Sequence, residues 1–257
     1  MSQIEILSEI PEDIFSNDSY YDAVSETHFW GKARFNVLLK HMEKIGFPIN
    51  EYRLGFDIGC GNGVVRRQIE KHTAWHIDGA DICKPALQRN NTSHGRTMLY
   101  DIHDRRDELA QMYDFIILFD VLEHVENTTP FLESILYHLK PDGFLFINVP
   151  ALSQLWSRYD EVQGHFRRYG KTDMEADLLR AGLKVKAMNY WGLSMIPLLL
   201  GRKWFLKSDT HPELILKQGF APPTYWLNFA LSGVLRIETA LLQAPVAGTS
   251  LFVVASK

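Results

Sequence analysis

The chain has 257 residues, 46% of them hydrophobic and 23% charged, with a formal net charge of -4 and a pI near 6.2. This composition is that of a globular protein long enough to bury a sizeable core, and it excludes a disordered or fibrous one. Because the weak negative charge creates no general attraction for phosphate backbones, we expect no obligate nucleic-acid partner.

The cysteines and the apolar segments indicate in which cellular compartment the protein is expected. Cys60 and Cys83 are too few for a disulfide framework and lack the spacing of a metal site, so we expect a cytoplasmic protein with no bound metal. The amino terminus is acidic where a secretory signal would be basic and then apolar. The longest apolar stretches, at 191–200 and 225–235, are shorter than the roughly 20 residues of a membrane span, but they leave peripheral membrane contact open.

Apolar residues recur in an alternating pattern of helices and strands. The i, i+4, i+8 spacing from Trp30 to Ile45 predicts an amphipathic helix, and we assign residues 1–50 to an N-terminal helical cover. A later helix, from 172 to 181, begins with a capping-box pattern in which Glu175 follows Thr172. The predicted strands are 54–58, 75–80, 97–100, 115–119, 144–149, 183–190 and 251–255.

This order predicts an α/β fold: a Rossmann-like, doubly wound sheet of seven mostly parallel strands with helices on both faces, within residues 51–257. The ligand site of such a sheet lies outside the carboxyl ends of its strands. Before the last strand, about residues 192–247 form a predicted helical insert: core, a homodimer interface, or a lipid-facing lid rimmed by Arg202 and Lys203. Glu238 shares a helical face with apolar residues there, so we expect it to be paired or functional.

The strongest chemical signal is the run FDIGCGNGVV at 56–65, where the first central strand ends and a helix begins. Glycines at alternate positions let the backbone turn sharply and approach a ligand, and free amides at the helix start favour an anion. The spacing GxGxG differs from the GxGxxG of dinucleotide sites. A simple tight turn is the alternative.

Acidic residues close the following strands. Asp81 ends the second central strand, where it can accept both hydroxyls of a ribose or cap the next helix. Asp101 ends the third strand and can receive an adenine amine, or be an ordinary loop carboxylate. Asp78 points to the other face by strand alternation, so we expect it to face solvent. The run that ends the fourth strand contains Asp120, Glu123 and His124. These residues can orient a cofactor or substrate, or cap the next helix.

Taken together, the runs DIGCGNG, GADI, YDIHD and FDVLEHV, within about residues 53–150, resemble class I S-adenosylmethionine (SAM)-dependent methyltransferases, particularly the type 11 group. The resemblance implies SAM as the cofactor. It places a loop under the methionine moiety, a carboxylate on the ribose, another at the adenine, and apolar residues around them. The cofactor residues so implied are Asp57, Gly59, Gly61, Gly63, Asp81, Ile82, Asp101, Ile102, Phe119 and Asp120. Cys60 is read as a packing residue.

The segment before the sheet resembles the entrance helix of many members. Arg34 would hold the carboxylate of SAM, since a guanidinium suits bidentate carboxylate binding, and Trp30 would close over the site. An exposed helix arginine beside a core tryptophan is the alternative.

The run DEVQGHFRRY at 160–169 resembles a GHxRRY motif of a subset of bacterial methyltransferases and suits a loop over the active site. We predict His165, ahead of His124, as a general base for a hydroxyl acceptor, with Tyr169 orienting that acceptor. Arg167 and Arg168, together with His165 and Tyr169, would bind an anionic or polar acceptor. Alternatively the two arginines pair with Asp160 and Glu161 in a surface network.

The predicted function is SAM-dependent methyl transfer to an oxygen, nitrogen or carboxylate acceptor on a small molecule or a lipid-linked substrate. Positioning can provide most of the acceleration, because methyl transfer from a sulfonium is an in-line displacement. Two other classes stay open: a catalytically silent SAM-binding regulatory or scaffold protein, and an NAD-dependent oxidoreductase.

Overall fold

A single eight-stranded sheet organises the computed structural model of the chain, which describes residues 3–11, 26–90, 94–205, 215 and 224–257. All seven predicted strands are present. The strands are β1 (Ile4–Ile6), β2 (Leu54–Ile58), β3 (His76–Asp81), β4 (Thr97–Leu99), β5 (Tyr113–Phe119), β6 (Leu139–Pro150), β7 (Lys184–Trp191) and β8 (Ser250–Ser256).

The strand order is β1-β4-β3-β2-β5-β6-β8-β7. Neighbours from β1 through β6 pair in parallel, whereas β8 runs antiparallel to both β6 and β7. The order reverses between β2 and β5, which is the switch point where a doubly wound sheet opens its ligand crevice. The predicted Rossmann-like fold is therefore confirmed, with one strand more than predicted, because Ile4–Ile6 adds an edge strand from the segment assigned to the helical cover.

Helices cover both faces, as predicted. They are α1 (Phe29–Lys44), α2 (Val64–Glu70), α3 (Lys84–Gln88), α4 (Thr128–His138), α5 (Arg158–Val162), α6 (Lys171–Arg180), α7 (Ile196–Phe205) and α8 (Tyr225–Leu241). Leu38 and Met42 of α1 pack with Phe115 and Phe252 on one face. On the other face, residues of α4 and α6 such as Ile135 pack against the opposite sides of the same strands. The strands are thus buried on both sides, as their continuous apolar runs predicted.

Two local predictions about polar residues are wrong. The capping box at the start of α6 does not involve Thr172 and Glu175, because the helix begins earlier and Asp173 accepts the N–H of Gly170 instead. Asp78 does not face solvent: it is buried, and its carboxylate accepts the Arg96 N–H and the Tyr113 hydroxyl. In both cases a nearby backbone amide determined the partner, which strand or helix periodicity does not reveal.

The insert before β8 contains α7 and α8. Glu238 of α8 anchors it, because its carboxylate accepts the N–H groups of Gly192, Leu193 and Ser194 at 2.7, 2.9 and 2.8 Å. Glu238 is therefore paired, the first of the two roles expected for it. Large apolar side chains of both helices face outward rather than into the core, with Trp204 86% and Trp226 76% exposed. Among the residues described, no helix has the length and apolar character needed to span a membrane.

The Glu238 anchor predicts a stability loss. Replacing Glu238 with alanine leaves three amides without their charged acceptor, so we expect the free energy of unfolding to fall by about 2 kcal/mol. Urea denaturation measures the change. The neighbouring variant Ile237→Ala truncates a side chain that is 61% exposed and should change stability much less; equal losses in the two variants would contradict the anchoring role.

Candidate active site

The register of the central strands brings the predicted site residues to one edge of the sheet. Ile58 of β2 lies opposite Ala80 of β3 and Leu118 of β5, and Asp81 lies opposite Leu99 of β4. The residues that follow these pairs, at 59, 81, 100–101 and 119–120, therefore emerge side by side at the carboxyl ends.

The glycine run forms a tight bend at this edge. Gly59, Gly61 and Gly63 have φ values of 73°, 50° and 76°, the left-handed region that side chains disfavour. A Cβ atom at Gly59 would lie 2.6 Å from Val121 Cγ2. The bend then leads into α2, and the N–H groups of Gly59 and Cys60 donate to the Ala80 carbonyl.

Asp81 joins this bend to the second strand. Its Oδ2 accepts the Gly61 N–H at 2.8 Å, and its Oδ1 accepts the Cys83 N–H at 2.8 Å. A carboxylate has further lone pairs, so these bonds orient the group and leave it able to accept hydroxyls. Both readings of Asp81 from the sequence thus remain compatible, because it organises the turn before α3 and faces the crevice. Burial raises the pKa of this carboxyl, against the effect of its backbone hydrogen bonds.

Asp57, in β2 just before this bend, carries an unsatisfied polar atom. The side chain is 2% exposed, and its Oδ2 has no hydrogen-bond partner among the residues described. Burial raises its pKa to about 7, although the nearby charges of Arg66 and Arg34 oppose the shift. A buried carboxyl without a partner is costly, so its position fits a group that a bound ligand completes.

The third strand end holds Asp101, whose carboxylate accepts the His103 N–H at 2.9 Å. Its backbone N–H donates to the Ser8 hydroxyl oxygen, so the segment after β1 reaches this corner. The predicted pocket residues differ in burial: Ile82 is 41% exposed, whereas Ile102 is buried. Ile102 belongs to the cluster on the α4 face, and Phe119 to the one on the α1 face, so the structure does not bring these two side chains together.

The end of β5 meets the entrance helix α1. Arg34 forms an ion pair with Asp120, and its guanidinium lies 5.1 Å from the centre of the Phe119 ring. Asp120 also accepts the Asn148 side-chain amide at 2.8 Å and has φ of 58°, a strained conformation that is often stored at functional sites. Trp30 stacks on Trp191 with ring centroids 4.4 Å apart. Arg34 therefore lies at the end of β5 and Trp30 lies against Trp191, and their roles towards SAM stay predictions.

The loop at 157–169 is built around Asp160. Its fully buried carboxylate accepts the Ser157 N–H at 2.8 Å, Arg168 Nε at 2.8 Å, and His165 Nδ1 at 3.2 Å. Burial alone would raise the pKa of Asp160, but the hydrogen bond from His165 and the charge of Arg168 lower it to about 2. Arg168 is thus the ion-pair partner of Asp160, which is the alternative that the sequence left open for it.

The other loop residues are placed differently. Arg167 donates to the backbone carbonyls of Val125 and Glu126 rather than to Glu161, which pairs with Arg158. Tyr169 is buried, and its hydroxyl donates to the Leu122 carbonyl at 3.4 Å; burial raises its pKa above the ordinary value.

The loop docks onto the end of β5. The Phe166 N–H donates to the Glu123 carbonyl at 2.7 Å, and the rings of His124 and His165 meet edge to face with centroids 4.7 Å apart. From the sequence, Glu123 was expected either to orient cofactor or substrate together with Asp120 and His124, or to cap a helix. It is buried, and its Oε2 has no hydrogen-bond partner among the described side chains and backbone. The structure therefore brings the two predicted histidines together around this carboxyl.

Comparison with known proteins identifies the family. The family model described as a methyltransferase domain matches residues 30–187. The chain belongs to this methyltransferase family. The matched residues include the whole glycine bend and the carboxylates at the strand ends.

Similar proteins agree with this assignment. The ubiquinone biosynthesis O-methyltransferase of Rickettsia felis is 23% identical over 165 residues, which cover 54% of this chain and 67% of that relative. A SAM-dependent methyltransferase from Archaeoglobus fulgidus has a TM-score of 0.52 at 14% identity, covering 87% of this chain and 94% of that one. Phosphoethanolamine N-methyltransferase 2 of Haemonchus contortus, solved with SAM, has a TM-score of 0.56 at 15% identity, covering 96% and 61%.

The curated relatives match over 37% to 67% of their own length. The chain has the fold of class I SAM-dependent methyltransferases, and SAM is its cofactor. The unsatisfied Asp57 oxygen fits such a ligand. Cys60 is buried at this bend, and burial raises the pKa of its thiol well above the ordinary value, so it is a packing residue and not a nucleophile.

The pKa of Asp57 predicts a pH effect on the ligand-free methyltransferase. Because the folded-state pKa, about 7, lies above the ordinary value of 3.8, the folded state holds its proton more tightly than the unfolded state. Stability should therefore fall as pH rises through this window and level off above it. Asp57→Asn removes the ionisation, so it should be more stable than the wild type at pH 8 and similar at pH 4.

Urea denaturation across this range measures the effect. The exposed variant Asp142→Asn serves as the control and should follow the wild-type profile. If Asp57→Asn also followed that profile, Asp57 would not be the buried, ionisable carboxyl described above.

Proposed function

We propose that this methyltransferase transfers the methyl group of SAM to a hydroxyl oxygen of a small, largely apolar or lipid-linked acceptor. The observation that carries the proposal is the pairing of His165 with a buried carboxylate, Asp160, at the same sheet edge as the glycine bend. The relatives named as ubiquinone biosynthesis O-methyltransferases support oxygen as the acceptor atom.

The Asp81 carboxylate and the bend at Gly59–Gly63 support the cofactor part. The carboxylate would accept the ribose hydroxyls, while the bend would lie beneath the methionine moiety. Asp101 would contact the adenine, and Arg34 would hold the SAM carboxylate in exchange for its present partner, Asp120. These assignments agree with the side-by-side arrangement of the strand ends.

His165 would act as the general base for the acceptor hydroxyl. Asp160 accepts the hydrogen bond of Nδ1, so the imidazole is held in one orientation with Nε2 left for another partner. Where no other group activates the acceptor, Nε2 would take the proton of the acceptor hydroxyl as the hydroxyl oxygen bonds to the methyl carbon. The carbon–sulfur bond breaks, and S-adenosylhomocysteine leaves as a neutral thioether. Most of the acceleration comes from alignment of the oxygen, carbon and sulfur atoms.

The positions of the arginines refine their proposed roles. Arg168 holds Asp160, and so positions His165 indirectly. Arg167 ties the loop to the backbone after β5. We therefore propose that both arginines hold the 157–169 loop in position. Tyr169, which is buried, would have the same supporting role.

The apolar character of the acceptor is inferred from α7 and α8. Arg202 of α7 stacks over the Tyr159 ring at 4.2 Å, next to Asp160, and Lys203 donates to the Gln154 carbonyl. Asn228 of α8 accepts the Phe29 N–H at the start of the entrance helix. The two helices thus flank the entrance, and they expose a group of large aromatic side chains suited to a lipid interface: Trp204, Tyr225, Trp226 and Phe229.

A substitution at His165 tests the chemical step. His165→Asn should lower kcat by about 100-fold or more, because general-base catalysis typically contributes that much. Its affinity for S-adenosylhomocysteine should stay within about twofold of wild type. Radiolabelled methyl transfer into lipid and small-molecule fractions measures activity, and calorimetry measures affinity.

The matched control is His76→Asn, which changes an exposed histidine at the opposite end of the sheet. It should retain activity. Loss of cofactor binding in His165→Asn would move that residue to the cofactor site, and cofactor binding by the wild type with no methylated product in any fraction would favour a silent SAM-binding protein.

The exposed aromatic face predicts association with lipid. The double variant Trp204→Ser, Trp226→Ser should bind phospholipid vesicles at least about tenfold more weakly in sedimentation assays, because two large side chains lose their apolar burial. Leu179→Ser, an exposed leucine on α6, is the control and should bind as the wild type does. Equal vesicle binding by all three proteins would contradict a lipid-facing role for α7 and α8.

A further inference from the structure

We propose that Glu123, His124 and His165 form a binding site for a divalent transition-metal cation such as Zn²⁺ or Co²⁺. One ligand atom from each residue lies within 4.8 Å of the others. Two imidazoles and one carboxylate are a donor set that first-row transition metals prefer, whereas Mg²⁺ and Ca²⁺ prefer oxygen ligands alone.

Glu123 gives the strongest indication of a missing ligand. Its side chain is 1% exposed, and Oε2 has no hydrogen-bond partner among the residues that the structure describes. Leaving a carboxylate buried without a partner is costly, and a coordinated cation removes that cost. The neighbouring guanidinium groups pair elsewhere, Arg34 with Asp120 and Arg168 with Asp160.

The residues around the two histidines are arranged as an outer shell. Metal-bound histidines usually place their second ring nitrogen on a carboxylate or a backbone carbonyl, which fixes the ring. His165 places Nδ1 on Asp160 at 3.2 Å, and His124 hydrogen-bonds the backbone of Gly164. Asp160 is itself held by Ser157 and Arg168. Each imidazole thus retains one nitrogen that is free to bind a cation.

The surroundings also provide a path and an open position. Glu123 is buried and the His165 side chain is 10% exposed, whereas His124 is exposed, so a cation can reach the cluster from the His124 side. Three protein ligands leave at least one coordination position for water or another oxygen, which is the arrangement of catalytic rather than structural sites.

An acceptor hydroxyl bound at that position would lose its proton more readily, because a divalent cation lowers the pKa of a coordinated oxygen. His165 would then act as a ligand, and the cation would replace it as the activator. Activation of an acceptor by the cation rests on the proposed function, whereas the existence of the cation site does not. The test of the site therefore uses neither SAM nor an acceptor.

The experiment is a titration of the chelator-treated full chain with Co²⁺, followed by its visible absorption, and then displacement with Zn²⁺. We expect one tight Co²⁺ equivalent that Zn²⁺ displaces. Glu123→Gln, which preserves the side-chain volume, and His165→Asn should each weaken Co²⁺ binding by at least about tenfold. Asp160→Asn, in the outer shell, should weaken it by about 10- to 100-fold.

The control is His76→Asn, since His76 and His94 form another histidine pair, with ring centroids 5.6 Å apart and exposed to solvent. This variant should keep the tight equivalent. Thermal unfolding of each variant shows whether it is folded. Stoichiometric binding that survives in folded Glu123→Gln and His165→Asn, or a wild type that binds no tight equivalent, would overturn the site; neither result bears on whether SAM binds.

Discussion

The parallel register of β2, β3 and β5 is the constraint on which the site depends. Because Ile58 pairs with both Ala80 and Leu118, the three strands end at the same level and their next residues share one crevice. The bond from the Gly61 N–H to the Asp81 carboxylate then connects the first bend to the second strand. A slip of one residue in any of these strands would turn its side chains to the opposite face and would move its end out of level with the neighbouring strands.

A second centre, Asp160, holds the 157–169 loop together. It fixes His165 and Arg168, while the Phe166 N–H attaches the same loop to Glu123. The histidines of two distant segments therefore meet only after the sheet, the β5 loop and the 157–169 loop have assembled. The site is a product of tertiary structure, and its electrostatics depend on carboxyls whose partners come from different elements.

Sequence patterns predicted the parts of this structure that depend on local order. Strands with continuous apolar runs, the glycine bend and Asp81 at a strand end follow from periodicity and spacing. The edge strand Ile4–Ile6 has only three residues, and β4 supplies its pairing. Spacing along the sequence does not reveal that the Asp78 carboxylate accepts the Tyr113 hydroxyl. It also does not reveal that Glu123, His124 and His165 converge. Their proximity depends on how distant loops dock.

Calorimetric titration with S-adenosylhomocysteine, comparing the wild type with Asp81→Ala, tests the cofactor crevice most directly. We expect one molecule bound per chain, and a loss of about 1 to 3 kcal/mol of binding free energy in the variant, because ribose hydroxyls would lose their acceptor. Thermal unfolding of Asp81→Ala verifies that its bend remains folded. Unchanged affinity in the folded variant, or a wild type that binds a dinucleotide in preference, would contradict the assignment of this sheet edge to SAM.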